Sequence, residues 1–215
     1  MWKLTMKLFA ALLFACLPSF AMSQGLTPEQ LRAQLDERSS SNSAFRDMLN
    51  DPDPARSRAA MELMIESNEP QLVRLAIDHG LLSATPEVRA YALRAFLDTR
   101  PTLLVQVTLP DDVPEKFEGH FRHVTDGTIL SNGTATYRLN VGMFHAEKNC
   151  YLETGHDWCG IAITPDGVAM STRAHGNSGR WTYTNLTFQD SGQLAGSTTV
   201  WDVPGGFTTS LTLTP

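Results

Sequence analysis

The sequence predicts an α+β fold, with N-terminal α-helical hairpins over residues 26–100 followed by an antiparallel β-sandwich or small β-barrel over 102–215. Three observations carry that expectation. One helical unit is written twice: sliding residues 44–54 along by 32 positions superposes Ala44 on Ala76, Leu49 on Leu81 and Pro54 on Pro86. The match continues through Ala60/Ala92 and the apolar pairs Met61/Leu93 and Ile65/Leu97, and a period of roughly 20–50 residues marks stacked supersecondary units. Near Pro101 the apolar rhythm changes from 3.6 to 2. Beyond it, turn signals recur at Asp126-Gly127, Asn132-Gly133, Asp166-Gly167, Ser191-Gly192 and Gly205-Gly206.

Residues 1–21 read as a secretory signal. Lys3 and Lys7 form a basic start, Leu8 to Leu17 a short apolar run, and Ser19-Phe20-Ala21 a small-residue cleavage site after Ala21. Ten apolar residues fall short of the roughly 20 that span a bilayer. Leu13-Phe14-Ala15-Cys16 also resembles a lipoprotein box, which leaves lipidation at Cys16 as the alternative to a periplasmic or secreted protein. The mature chain would carry a net charge of −8, which opposes nucleic-acid binding and docking on anionic lipid. Over the whole 215 residues, 42% are hydrophobic and 19% charged, as in a globular protein of one or two domains.

The helices follow in order. Leu26-Thr27-Pro28-Glu29-Gln30-Leu31 predicts a capped start, with Thr27 and Gln30 bonding each other's backbone and Leu26 stapled to Leu31. The serine-rich run 39–43 predicts a linker, with Ser43 capping a short second helix. Asp53 caps a helix from Pro54 with Ala60, Leu63 and Met64 on one face. A third helix after Pro70 turns Leu72, Leu75 and Ala76 inward and stops near Gly80. Thr85 caps the last, lined by Val88, Ala92, Ala95 and Phe96, and Arg100-Pro101 ends it.

Over residues 44–98 these hairpins resemble HEAT-type helical repeats. The segment Val88-Arg89-Ala90-Tyr91-Ala92-Leu93-Arg94-Ala95-Phe96 is similar to the family's second helix, and the helix starts at Pro54 and Pro86 to its turns. The resemblance implies protein–protein contact and no chemistry of its own. Two copies are fewer than the three or more that usually bury a solenoid core, so their apolar stripe should lean on the β-region.

In that region Leu103, Val105, Val107 and Leu109 alternate with polar residues, as do Ala135, Tyr137, Leu139 and Val141, and Phe207, Leu211 and Leu213. Such alternation predicts about eight antiparallel strands, each with one buried face. Cys150 and Cys159, the two cysteines left in an exported chain, predict a disulfide around the stretch of least strand character.

Candidate chemistry is sparse. His120 and His123 fall on opposite faces if that segment is a strand, and no further ligands accompany them, so neither metal nor cofactor is expected. His175-Gly176-Asn177-Ser178-Gly179 lacks nucleophile-elbow spacing and reads as a glycine-rich loop. The aromatic residues Trp158, Trp181, Tyr183, Tyr151 and Trp201 form either core or a platform for stacking on sugar rings, and Trp181 and Tyr183 share a strand face. Trp158, in the disulfide loop, is the ring expected to be exposed. The expectation is therefore a non-catalytic binding or scaffold protein of a bacterial envelope, engaging a protein through its helical face or sheet edge. A glycan-binding β-domain on a helical spacer is the alternative. A hydrolase using Asp157, His156 and Glu153 comes third.

Overall fold

The computed structural model describes residues 27–173 and 179–213. The signal segment 1–21 with Cys16, the Leu26 staple and residues 175–178 of the glycine-rich loop lie outside the described residues. The chain divides into two compact units, 1–41 and 42–215.

Helix α1 (Pro28–Leu49), which begins in the first unit, opens with a reciprocal cap: the Gln30 N–H donates to Thr27 Oγ1, and the Thr27 N–H to Gln30 Oε1. The expected break at 39–43 is absent, and α1 is continuous. Serine is only mildly unfavourable inside a helix, and neither glycine nor proline interrupts this run.

In the second unit, α2 (Pro54–Glu66), α3 (Pro70–Leu81) and α4 (Pro86–Asp98) each begin on a proline in the first turn. Asp53 caps α2 through Ala55 N–H, whereas Thr85 occupies the cap position of α4 without a side-chain bond. Leu63, expected inward, is 66% exposed, and Met61 and Met64 take the buried face. As expected, α3 stops near Gly80, its last residue being Leu81. The role of Gly80 is close packing: a Cβ there would lie 2.5 Å from Ala92 Cβ and 2.7 Å from Met61 Sδ.

The remainder is a closed barrel. The strands are β1 (Thr102–Thr108), β2 (Thr128–Ile129), β3 (Thr134–His145), β4 (Cys150–Glu153), β5 (Cys159–Thr164), β6 (Gly167–Arg173), β7 (Trp181–Phe188), β8 (Leu194–Val200) and β9 (Phe207–Leu211). From β3 to β9 each strand pairs antiparallel with the next, and β1 bridges β9 and β3 to complete an eight-stranded ring. Short β2 adds to β3 alone. Barrel, not sandwich, is thus the outcome, with unpaired edge left at β2 and along part of β3. The disulfide Cys150–Cys159 links β4 to β5 with Cα atoms 5.7 Å apart. Its loop contains β4, so the stretch held to be poorest in strand character is itself partly strand. Closing so short a loop stabilises by about 2–3 kcal/mol in the chain-entropy model.

One apolar core runs from the helices into the barrel. Ile77, Leu81, Leu93, Phe96 and Leu97 belong to the same buried cluster as Leu103, Val105, Leu139, Ile161 and Leu186. Tyr151, 1% exposed on β4, ties the two parts by donating to Asp98 Oδ1 at 2.7 Å. At the other end, the segment expected to be a strand through His120 and His123 is helix α5 (Phe117–Thr125). Phe117, Phe121 and Val124 recur at helical spacing and are buried, with Phe117 against Phe207 and Phe121 against Tyr137. Gly127 follows because a Cβ there would strike Phe121 Cε1 at 2.4 Å.

The shared core makes unfolding a single event. Phe96→Ala, at a site 3% exposed, is expected to cost about 3–5 kcal/mol. The loss should appear equally in helix circular dichroism and in the fluorescence of the barrel tryptophans during urea titration, and two separated transitions would contradict it.

Candidate functional site

A cleft of about 620 Å³ opens where the barrel wall is interrupted. One edge of β3 pairs with β1 from Thr134 to Asn140. The opposite edge pairs with β2 only at Ala135 and Thr136, and with β4 only from Val141 onward. Between those pairings lies the cleft, walled by Thr136, Tyr137, Arg138 and Asn140 of β3 and by Val124, Thr125 and Asp126 at the end of α5. Glu153, Thr154, His156, Thr172 and Arg173 face them.

The inner wall is polar. Tyr137 and Thr184 hydroxyls lie 2.9 Å apart, Thr184 and Thr198 Oγ1 atoms 2.7 Å, and Thr209 donates to Thr198 at 2.8 Å. All four residues are buried, so this hydroxyl chain replaces water inside the barrel. The Thr182 hydroxyl, opposite Thr172 in the register, is buried with no partner among the described residues. Burial pushes the Tyr137 phenol up to about 12.

The outer rim is aromatic. Trp158 donates Nε1–H to Glu153 Oε2 at 2.7 Å, and Thr172 donates to the same carboxylate at 3.0 Å. The Trp158 ring stacks on His156 with centroids 3.7 Å apart, and Arg173 Cζ sits 4.1 Å from its centroid. Two groups this near the ring centre cannot share a face, so the indole is covered on both sides. Arg173 Cζ also lies 5.2 Å from Trp181, which stacks near-parallel to Tyr183 at 21° and 6.0 Å.

The structure thus gathers Trp158, Trp181 and Tyr183 and leaves Tyr151 apart from them. Trp158 is a support rather than an open platform. Tyr151 does not join the cluster: it is buried in the core, where desolvation foremost and the Asp98 carboxylate beside it raise its phenol. Of the hydrolase trio, Glu153 and His156 line the cleft, whereas Asp157 is exposed and outside it. Sequence reasoning missed Arg173 and Thr172, although their alternation along β6 was available. It also missed a second rim cluster. His120 packs on Trp201 with its Nδ1 3.0 Å from Trp201 O, while Arg180 covers that ring at 4.5 Å and meets His123 Nε2 at 3.0 Å. Helical spacing in 117–125 was the signal that would have put both histidines on one side.

Among the described residues no group of three or more His, Cys, Asp or Glu could hold a metal ion, and no helix is long and apolar enough to cross a membrane. The chain matches no protein-family model, no curated protein and no solved structure.

Tyr137 sets an alkaline limit. A phenol whose folded pKa lies above its unfolded value keeps its proton longer when folded. Its stability contribution is therefore complete below about pH 10 and is lost as pH rises towards 12. The expected loss is on the order of 2–3 kcal/mol across that window. Urea titrations from pH 9 to 12 should show a shallower decline in Tyr137→Phe than in the wild type, the remainder including the share from Tyr151.

Proposed function

We propose that the protein is an exported, non-catalytic binding protein whose β-barrel takes a saccharide at the cleft and its aromatic rim. The observation that carries this reading is the continuity of two surfaces a sugar needs. A polar cleft offers Glu153, Thr154, Thr172 and Arg138 to hydroxyl groups, and it runs through Arg173 to the near-parallel rings of Trp181 and Tyr183. The C–H face of a pyranose is apolar and its rim is polar, so it uses both at once. Glu153 is held by Trp158 and Thr172 and serves as a fixed acceptor. Export is consistent with the disulfide, which persists in oxidising compartments.

Tyr183, 51% exposed, is the ring most open to a ligand. A saccharide identified on a glycan array should bind Tyr183→Ala at least about tenfold more weakly, roughly 1.4 kcal/mol by calorimetry. The unfolding midpoint should not move. Unchanged affinity in that variant, or an array with no bound glycan, would refute the reading.

A second reading rests on the HEAT-like segment. Phe45, Met48, Leu63, Met64 and Leu72 line an apolar groove of about 450 Å³ on the helices, with Leu63 and Met48 largely exposed. Contiguous apolar surface of this kind suits a protein partner. Leu63→Asp should then abolish retention of one envelope protein in a pull-down while leaving stability within about 0.5 kcal/mol. Identical captured bands for wild type and variant would remove this reading.

A further inference from the structure

Among the described residues nothing answers the charge of Arg173. Among the described residues it makes no ion pair and no hydrogen bond, and its Nε is shut from solvent without an acceptor. Of the two carboxylates in the cleft lining, Asp126 and Glu153, the latter is already engaged by Trp158 Nε1 and Thr172 Oγ1. What holds the guanidinium is aromatic: Trp158 at 4.1 Å and Trp181 at 5.2 Å from Cζ. Ring contact of this kind uses the faces of the guanidinium and leaves its N–H donors in the plane, at the edge. The edge carrying the two Nη groups presents a rigid fork matched to the two oxygens of a carboxylate.

Arg173 also lines the cleft and its Cζ lies 5.2 Å from Trp181, so a ligand whose anion meets its edge is within reach of Trp181 and Tyr183. The surroundings limit how much negative charge is welcome. Arg138 and Arg173 are balanced in the lining by Asp126 and Glu153, and the whole chain carries a net charge of −6. A densely charged polyanion would meet repulsion, whereas an isolated carboxylate would not. Resting on the saccharide reading above, we infer that the ligand is an acidic saccharide with an isolated uronic-acid carboxylate, clamped by Arg173 while a neighbouring ring stacks on the rim.

The test uses the mature protein on an array of matched pairs, each uronate-containing glycan beside the same glycan after carboxyl reduction to the neutral sugar. Expected is binding to uronate members, weakened at least about tenfold by carboxyl reduction, roughly the effect of one charge-assisted bidentate contact. That selectivity ratio should collapse towards one in Arg173→Gln and be only partly restored in Arg173→Lys, which keeps the charge without the fork. Should either variant fail to fold, the matched pairs on the unaltered protein still decide. Glycans that keep their affinity after carboxyl reduction would overturn the inference and leave the saccharide reading standing. No binding to either member of any pair would remove the saccharide reading and this inference with it.

Discussion

The burial of the α3–α4 stripe against one end of a closed barrel is the contact on which the rest of the structure depends. Two helical hairpins offer each other too little apolar surface, and Ile77, Leu93, Phe96 and Leu97 would face water if left to themselves. An eight-stranded barrel has the complementary difficulty, because its interior is open at both ends. Here α3 and α4 seal one end, and α5, through Phe117 and Phe121, seals the other. Neither half of the sequence is a self-sufficient core, and the Tyr151–Asp98 bond crosses from a buried strand residue to the exposed end of α4.

The cleft is a consequence of how the wall is built. β3 is 12 residues long, and short β2 and β4 divide its second edge between them. The strip left between those pairings faces the turn after β4, where the disulfide holds Cys159 beside Leu152 and so positions Glu153 and Trp158. A fully apolar interior would have no use for such an opening. Instead, Tyr137, Thr184, Thr198 and Thr209 are buried in the barrel with their hydroxyls satisfying one another, and buried Thr172 donates to Glu153. On the outer surface, alternation along β6 and β7 sends Arg173, Trp181 and Tyr183 outward while Thr172 and Thr182 point in. Inner polarity and outer aromaticity therefore meet at Arg173.

Much of the scaffold was legible in the residues, and each success had a local cause. Asp53-Pro54 and Thr27–Gln30 specify helix starts through bonds within four residues. Alternation in 102–108, 134–141 and 207–211 specifies strands because a half-buried pleat has no other pattern. The failures were also local conflicts. The segment through His120 and His123 reads as a strand in isolation, although Phe117, Phe121 and Val124 keep helical spacing. Serines 39–43 suggest a linker by composition, yet α1 tolerates them.

The sequence by itself determined that helices precede strands, the change from helix to strand at Pro101, the cysteine pair and the shared face of Trp181 and Tyr183. These depend on neighbours within a few residues, where periodicity and capping act. Only the tertiary structure decided that the sheet closes, that Trp158 is covered by His156 and Arg173, that Tyr151 belongs to the core, and that Glu153 and Arg173 share one cleft. Those facts depend on which strand meets which across many residues, and no side chain carries that information alone, because a ring that stacks on a ligand and a ring that fills a core obey the same local alternation.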